Sequence, residues 1–150
     1  MTKLYLSKDF KEFIELLNRN EAKFLVVGAY AVGLHGYVRF TGDLDIWIEP
    51  SEENANKVMS CLRQFGFGSL KGLSFEDFTK DNSVVQFGYP PLRIDIMTSA
   101  SGINFTECYG KRLVSTIDGI EVPYLDLESL KKNKASTKRQ KDLGDLENLP

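Results

Sequence analysis

The chain has 150 residues, 42% hydrophobic and 27% charged, which suits one domain (1–150) with a sizeable core. Its net charge of −2 argues against a general nucleic-acid binder, although one basic segment departs from the average. Lys131, Lys132, Lys134, Lys138, Arg139 and Lys141 lie within eleven residues that contain no acid. Cys61 and Cys108 lack metal-type spacing and read as reduced, semi-buried thiols. No stretch approaches the ~20 apolar residues of a membrane span, and residues 1–9 lack a signal-peptide core. The expected location is the cytoplasm, with no membrane partner.

Ser7 is placed to cap a first helix, whose buried face is Phe10, Phe13, Ile14 and Leu17. Phe24 to Val27 is apolar throughout, the pattern of a strand covered on both faces. Gly28 breaks it, a short apolar segment over 31–34 follows, and a second strand runs from Leu44 to Ile48. Ser51, Glu52 and Glu53 open another helix with a stripe of Ala55, Val58, Met59 and Leu62, stopped at Gly66. Residues 66–82 read as loop with a short strand.

Val84 to Phe87 and Leu92 to Met97 are the next strands, joined by a turn at Gly88-Tyr89-Pro90-Pro91. Residues 99–112 read as loop with one helical turn. Val114 to Ile117 and Ile120 to Tyr124 form a hairpin across Asp118-Gly119. Asp126 caps the last helical region. Its inward stripe starts at Leu127 and Leu130 and continues at helical spacing through Lys134, Lys138, Lys141 and Asp145. Lys131 and Lys132 fall off that stripe, toward solvent.

The chemistry-bearing pattern is Asp43-Leu44-Asp45. Strand alternation points both carboxylates to one face, away from Leu44, Ile46 and Ile48. Two carboxylates side by side repel each other, and a hard divalent cation such as Mg²⁺ relieves that repulsion. A bare Asp-x-Asp is common by chance, so its setting decides its weight. Asp95 is the second informative acid. It stands mid-strand with Arg93 and Met97 on its face, where a carboxylate buried alone is costly. It reads either as a third functional carboxylate or as an ion-pair partner of Arg93. Trp47 shares the face of the acid pair and either walls a site or packs in the core. His35, the only histidine, reads as structural beside its glycines. Ser7, Ser51 and Ser115 lack the partners of a nucleophilic triad.

Taken in order, Val27-Gly28-Ala29, a thirteen-residue spacer and Asp43-Leu44-Asp45 resemble the signature of the polymerase β-like nucleotidyltransferase superfamily. The run Arg39-x-Thr41-x-Asp43-x-Asp45 is similar to the small bacterial nucleotidyltransferases related to type IV toxin-antitoxin systems. So is Lys134-x-x-x-x-Arg139-x-Lys141-Asp142-Leu143-x-Asp145-Leu146. The resemblance spans about residue 20 to residue 147 and rests on three separated motifs in the right order.

The resemblance implies an α/β fold, a nucleotidyltransferase-like small mixed β-sheet with flanking helices. It implies Mg-dependent transfer of a nucleoside monophosphate from a nucleoside triphosphate to a hydroxyl of RNA, protein or a small molecule. Asp43, Asp45 and Asp95 would be the catalytic and metal-binding carboxylates, with two Mg²⁺ ions. Gly28, Ala29, Arg39, Thr41, Lys134, Lys138 and Arg139 would bind the nucleotide. Ala29 stands where the family carries a glycine or a small polar residue, which leaves phosphate binding there to backbone N–H groups. Two further readings are a non-catalytic binding or antitoxin-type module and an antibiotic-modifying nucleotidyltransferase. Either admits a protein partner or a homodimer.

Overall fold

In the computed structural model, which describes residues 7–36, 42–66, 73–89 and 92–150, one six-stranded sheet organises the chain. The elements follow as α1 (Lys8–Arg19), β1 (Phe24–Val27), α2 (Gly28–Leu34), β2 (Asp43–Ile48) and α3 (Glu52–Phe65). Then come β3 (Val84–Tyr89), β4 (Leu92–Met97), α4 (Phe105–Gly110), β5 (Leu113–Ile117), β6 (Ile120–Tyr124), α5 (Leu127–Thr137) and α6 (Gln140–Asn148). The strand order is β3-β4-β2-β1-β6-β5. β1 is antiparallel to β2, while β2 is parallel to β4 and β1 parallel to β6. The two edges are closed by antiparallel pairs, β3 on β4 and β5 on β6.

The apolar character of β1 follows from its central place. Phe24 and Val26 enter a core beneath α1 and α3, and Leu25 and Val27 enter a second core on the opposite face. α1 contributes Phe10, Phe13, Ile14 and Leu17 to the first core, and Ser7 accepts from the Phe10 N–H at 3.2 Å. Phe105, Cys108, Leu130 and Leu149 fill the second. The two thiols therefore sit on opposite sides of the sheet, both fully buried rather than half so. Burial pushes the Cys61 thiol up to about 12.

Asn54, on α3, ties the far ends of β1 and β2 together. Its Oδ1 accepts from the Lys23 N–H at 2.7 Å, and its Nδ2 donates to the Lys23 and Glu49 carbonyls at 3.0 and 2.9 Å. This fixes the register Val27↔Asp45, which places the acid strand beside the end of β1.

One expectation is tested in part and one is corrected. Within 66–82, the described residues form a 3₁₀ turn over Phe75–Phe78, held at its start by the Ser74 N–H donating to Asp77 at 2.9 Å, and no strand. The last helical region is two helices. Lys138 adopts a left-handed conformation, φ +58°, ending α5, so the stripe does not continue through it. The Gly88–Pro91 turn lies partly outside the described residues. Among the described residues no helix is long and apolar enough to cross a membrane.

Candidate active site

Register places the acids. On the parallel pair β2–β4, Asp45 stands opposite Asp95 and Asp43 opposite Arg93. All four side chains lie on the sheet face of the second core, as alternation predicts. Arg93 donates to Asp43, Nε at 3.3 Å and Nη2 at 3.4 Å, so its ion pair is made across the strands and not with Asp95.

Asp45 and Asp95 are left facing each other. Burial and the neighbouring Asp95 carboxylate push Asp45 up to about 7. Asp95 is raised as well, by burial first and then by the Asp43 charge. Asp95 is 8% exposed, and its Oδ1 is buried without a hydrogen-bond partner. Two acids in this state cannot both ionise cheaply without a cation. An orphaned hard oxygen beside a second carboxylate fits Mg²⁺ chemistry. Asp43, on the same face, is drawn toward Arg93. Among the described residues no three His, Cys, Asp or Glu side chains are gathered for a metal ion.

Gly28 explains why the strand before the acids must end in glycine. Its φ is +66°, and a Cβ there would meet Asp45 Oδ2 at 2.0 Å. Any side chain would displace the carboxylate. Ala29, buried, follows it in α2.

Asp45 forms one wall of a cleft of about 190 Å³ whose other walls include Gly28, Ala29, Ser99, Asn133, Lys134 and Arg139. The loop after β4 is fastened to α5. Asn133 Nδ2 donates to the Ser101 carbonyl at 3.0 Å, and Ser101 and Ser136 share a hydroxyl contact at 2.6 Å. Gly102, φ +77°, lies so close that a Cβ would meet Ser136 Cβ at 2.7 Å.

Lys134 reaches the cleft, as its place on the stripe predicts, and its ammonium is engaged there. It donates to Asp142 Oδ1 at 2.8 Å and pairs with Asp145 at 3.2 Å, with all three side chains at least 95% buried. Asp142 also accepts from Thr137 Oγ1 at 2.6 Å and from Arg139 Nε at 2.7 Å. Burial alone would raise the Asp142 carboxyl, but these three donors outweigh it and hold the group at about 2. The Lys134 charge also acts on Asp45, in the direction that favours its ionised form.

Of the residues expected in the site, Gly28, Ala29, Asp45, Lys134 and Arg139 meet at the cleft, with Asp95 and Asp43 on the adjoining strands. Lys138 does not line it, because as the left-handed residue that ends α5 it is exposed. Arg39 and Thr41 lie outside the described residues. Ser99, Asn133, Thr137 and Lys141 line the cleft without having been singled out as site residues. Asn133 and Thr137 share a helix face with spacing four, a signal that the sequence offered. Ser99 offered none. Trp47 packs in the second core, edge-on to Phe105 at 5.2 Å and 2% exposed, so it is core and not a wall of the cleft. His35 is structural. Its Nε2 contacts the Leu125 carbonyl at 2.7 Å, and its ring meets Tyr124 edge-on.

No family model matches the chain, and no curated protein sequence matches it. Solved structures share its fold. A protein of Thermotoga maritima named as a nucleotidyltransferase superposes with a TM-score of 0.58 at 18% identity, over 91% of this chain and 83% of that one. The lincosamide antibiotic adenylyltransferase LnuA, solved with lincomycin bound, gives 0.57 at 11% identity over 97% of both chains. An antigenic nucleotidyltransferase-like protein of Paracoccidioides brasiliensis gives 0.52 at 16%, over 95% of this chain and 76% of that one. At these identities the likeness is one of fold, and that fold is nucleotidyltransferase-like.

Proposed function

We propose that this chain transfers a nucleoside monophosphate from a nucleoside triphosphate to a hydroxyl acceptor, the acceptor oxygen bonding to the α-phosphorus as the α–β bond breaks and pyrophosphate leaves. The observation that carries this reading is the half-buried Asp45 facing the buried Asp95, two carboxylates without a cation of their own at a cleft whose rim is basic. Asp45 and Asp95, with Asp43 beside them, would hold Mg²⁺. When bound, the metal supplies neutralisation of phosphate charge and a lowered pKa for the acceptor hydroxyl.

The remaining roles belong to the chain's own groups. Asp95 accepts the proton of the acceptor hydroxyl. Backbone N–H groups of Gly28 and Ala29 hold phosphate, since neither residue offers a side-chain donor. Arg139 and Lys141 meet the outer phosphates at the rim through charge-assisted hydrogen bonds. An ammonium has three donors, and Asp142 and Asp145 engage two of those of Lys134, which leaves one for the nucleotide. Positioning and electrostatics then account for most of the rate.

Among the described residues the cleft holds about 190 Å³, below the ~300–1,000 Å³ of sites that surround a drug-sized ligand, so this reading places the phosphates in it and the acceptor at its mouth. An antibiotic hydroxyl, as the likeness to LnuA allows, would approach from outside it. The test is a survey with each labelled nucleoside triphosphate, Mg²⁺ and a cell extract. Label transferred to RNA, protein or a small molecule identifies the acceptor. No transfer from any nucleotide would favour a non-catalytic binding module.

A further inference from the structure

β5 is an edge strand with two features, shared with the opposite edge β3, that leave it open to pairing. Its sequence, Leu113-Val-Ser-Thr-Ile117, holds no lysine, proline or acid of the kind that blunts sheet edges. Leu113 and Val114 are 43% and 55% exposed, among the few large apolar side chains left in solvent. Charge appears only at the two ends of the strand, and with opposite sign: Arg112 before it and Asp118 after it.

The hairpin determines which backbone groups are open. Asp118 and Gly119 have φ of +52° and +80°, a two-residue turn closed by the pair Ile117↔Ile120. Hydrogen-bonded pairs alternate along an antiparallel ladder, so Ser115↔Val122 and Leu113↔Tyr124 share bonds toward β6. The N–H and C=O groups of Val114 and Thr116 then face outward.

We infer that β5 pairs antiparallel with β5 of a second copy of this chain, about a two-fold axis at Ser115. In that register Val114 faces Thr116 of the second copy, and each exchanges both backbone bonds with the other. Leu113 covers Ile117, and Arg112 comes opposite Asp118 at both ends. The contact is isologous, so it closes as a dimer and does not propagate into a filament. Side-chain charge favours this register, since a shift along the strand separates Arg112 from Asp118. The Arg112 guanidinium already donates to the Tyr109 carbonyl at 2.8 Å and stacks on the Tyr109 ring, which holds it at the strand's end with donors to spare. The opposite edge, β3, lacks this symmetry. Lys80 and Asp81 both precede it, and Pro90 and Pro91 follow it. β6, β1 and β2 separate β5 from β4, so pairing leaves the cleft open on both copies.

Sedimentation velocity of the full chain over a roughly thousandfold range of concentration tests this. The wild type should shift from monomer to dimer with concentration. Thr116→Pro removes an N–H that points away from β6, so the hairpin survives while the dimer weakens by roughly tenfold or more. Val114→Lys should weaken it comparably without touching the backbone, and Arg112→Asp should weaken it by placing like charges opposite each other. Circular dichroism confirms that each variant is folded. A wild type that stays monomeric at every concentration would overturn the inference. So would a dimer indifferent to both Val114→Lys and Thr116→Pro.

Discussion

Two regions of this molecule bury acids, and they treat them in opposite ways. At the corner of α5 and α6, Asp142 and Asp145 surround Lys134, and Asp142 collects donors until its carboxyl is held at about 2. Across β2 and β4, Asp45 and Asp95 face each other with one oxygen unpartnered, and Asp45 is pushed up to about 7. The first region balances its own charges and contributes to the fold, with one Lys134 donor left over. The second sets two carboxylates against each other, the arrangement that the proposed function assigns to a metal. On that proposal, the distinction separates structural from functional charge within a single cleft.

The largest expected effect falls on the opposed carboxylates. Asp95→Asn should keep nucleotide binding within a few-fold but reduce turnover by about a thousandfold, or roughly 4 kcal/mol of barrier. Single-turnover kinetics separates the two. Normal turnover in this variant would leave Asp95 as a spectator of Asp45.

Lys134→Ala attacks the balanced region. It would strand two buried carboxylates, a loss of about 3–5 kcal/mol. Urea denaturation should show it, with α6 released from α5. A loss of nucleotide affinity in this variant has to be read against that unfolding. The sequence places Lys134 correctly on an inward face, but its acidic partners lie across a helix break. No glycine marks that break, because Lys138 itself takes the left-handed conformation. Helical spacing therefore carried the stripe one turn too far and gave Lys138 a place in the site.

Elsewhere the sequence was more legible. The caps at Ser7, Ser51 and Asp126, the Asp118-Gly119 turn and the alternation of β2 and β4 were all local signals, and each is found in the structure. What pairing across strands decides was not legible. Arg93 has Asp95 on its own face two residues away, yet the register gives it Asp43. The closeness of Asp45 to Gly28, where an added Cβ would meet the carboxylate at 2.0 Å, is likewise a fact of packing between β2 and the end of β1.

The same contrast governs pH. The raised Asp45 favours its protonated form when folded, so its stabilisation is present at low pH and is lost as pH rises from 3.8 through about 7. Asp142, lowered, contributes above its ordinary 3.8, and this is lost as pH falls toward about 2. Metal-free protein should therefore be most stable near pH 4 and lose on the order of 2–4 kcal/mol toward neutrality. Mg²⁺ should flatten the neutral side alone. Denaturation midpoints across pH, with and without the ion, check both limbs.

The smallest effect is expected at Lys132. It is exposed and paired with Glu128 at 3.4 Å, so Lys132→Ala should change stability by less than about 1 kcal/mol and triphosphate affinity by less than about twofold. A larger change would show that the outer face of α5, and not the cleft, meets the ligand.

The most direct test is calorimetric titration of Mg²⁺ with a nucleoside triphosphate into the wild type and into Asp43→Asn/Asp45→Asn. The double variant should fold, melt no lower than the wild type because repulsion with Asp95 is relieved, and bind no Mg-nucleotide. Undiminished affinity in that variant would contradict the assignment of β2 and β4 as the metal and nucleotide site.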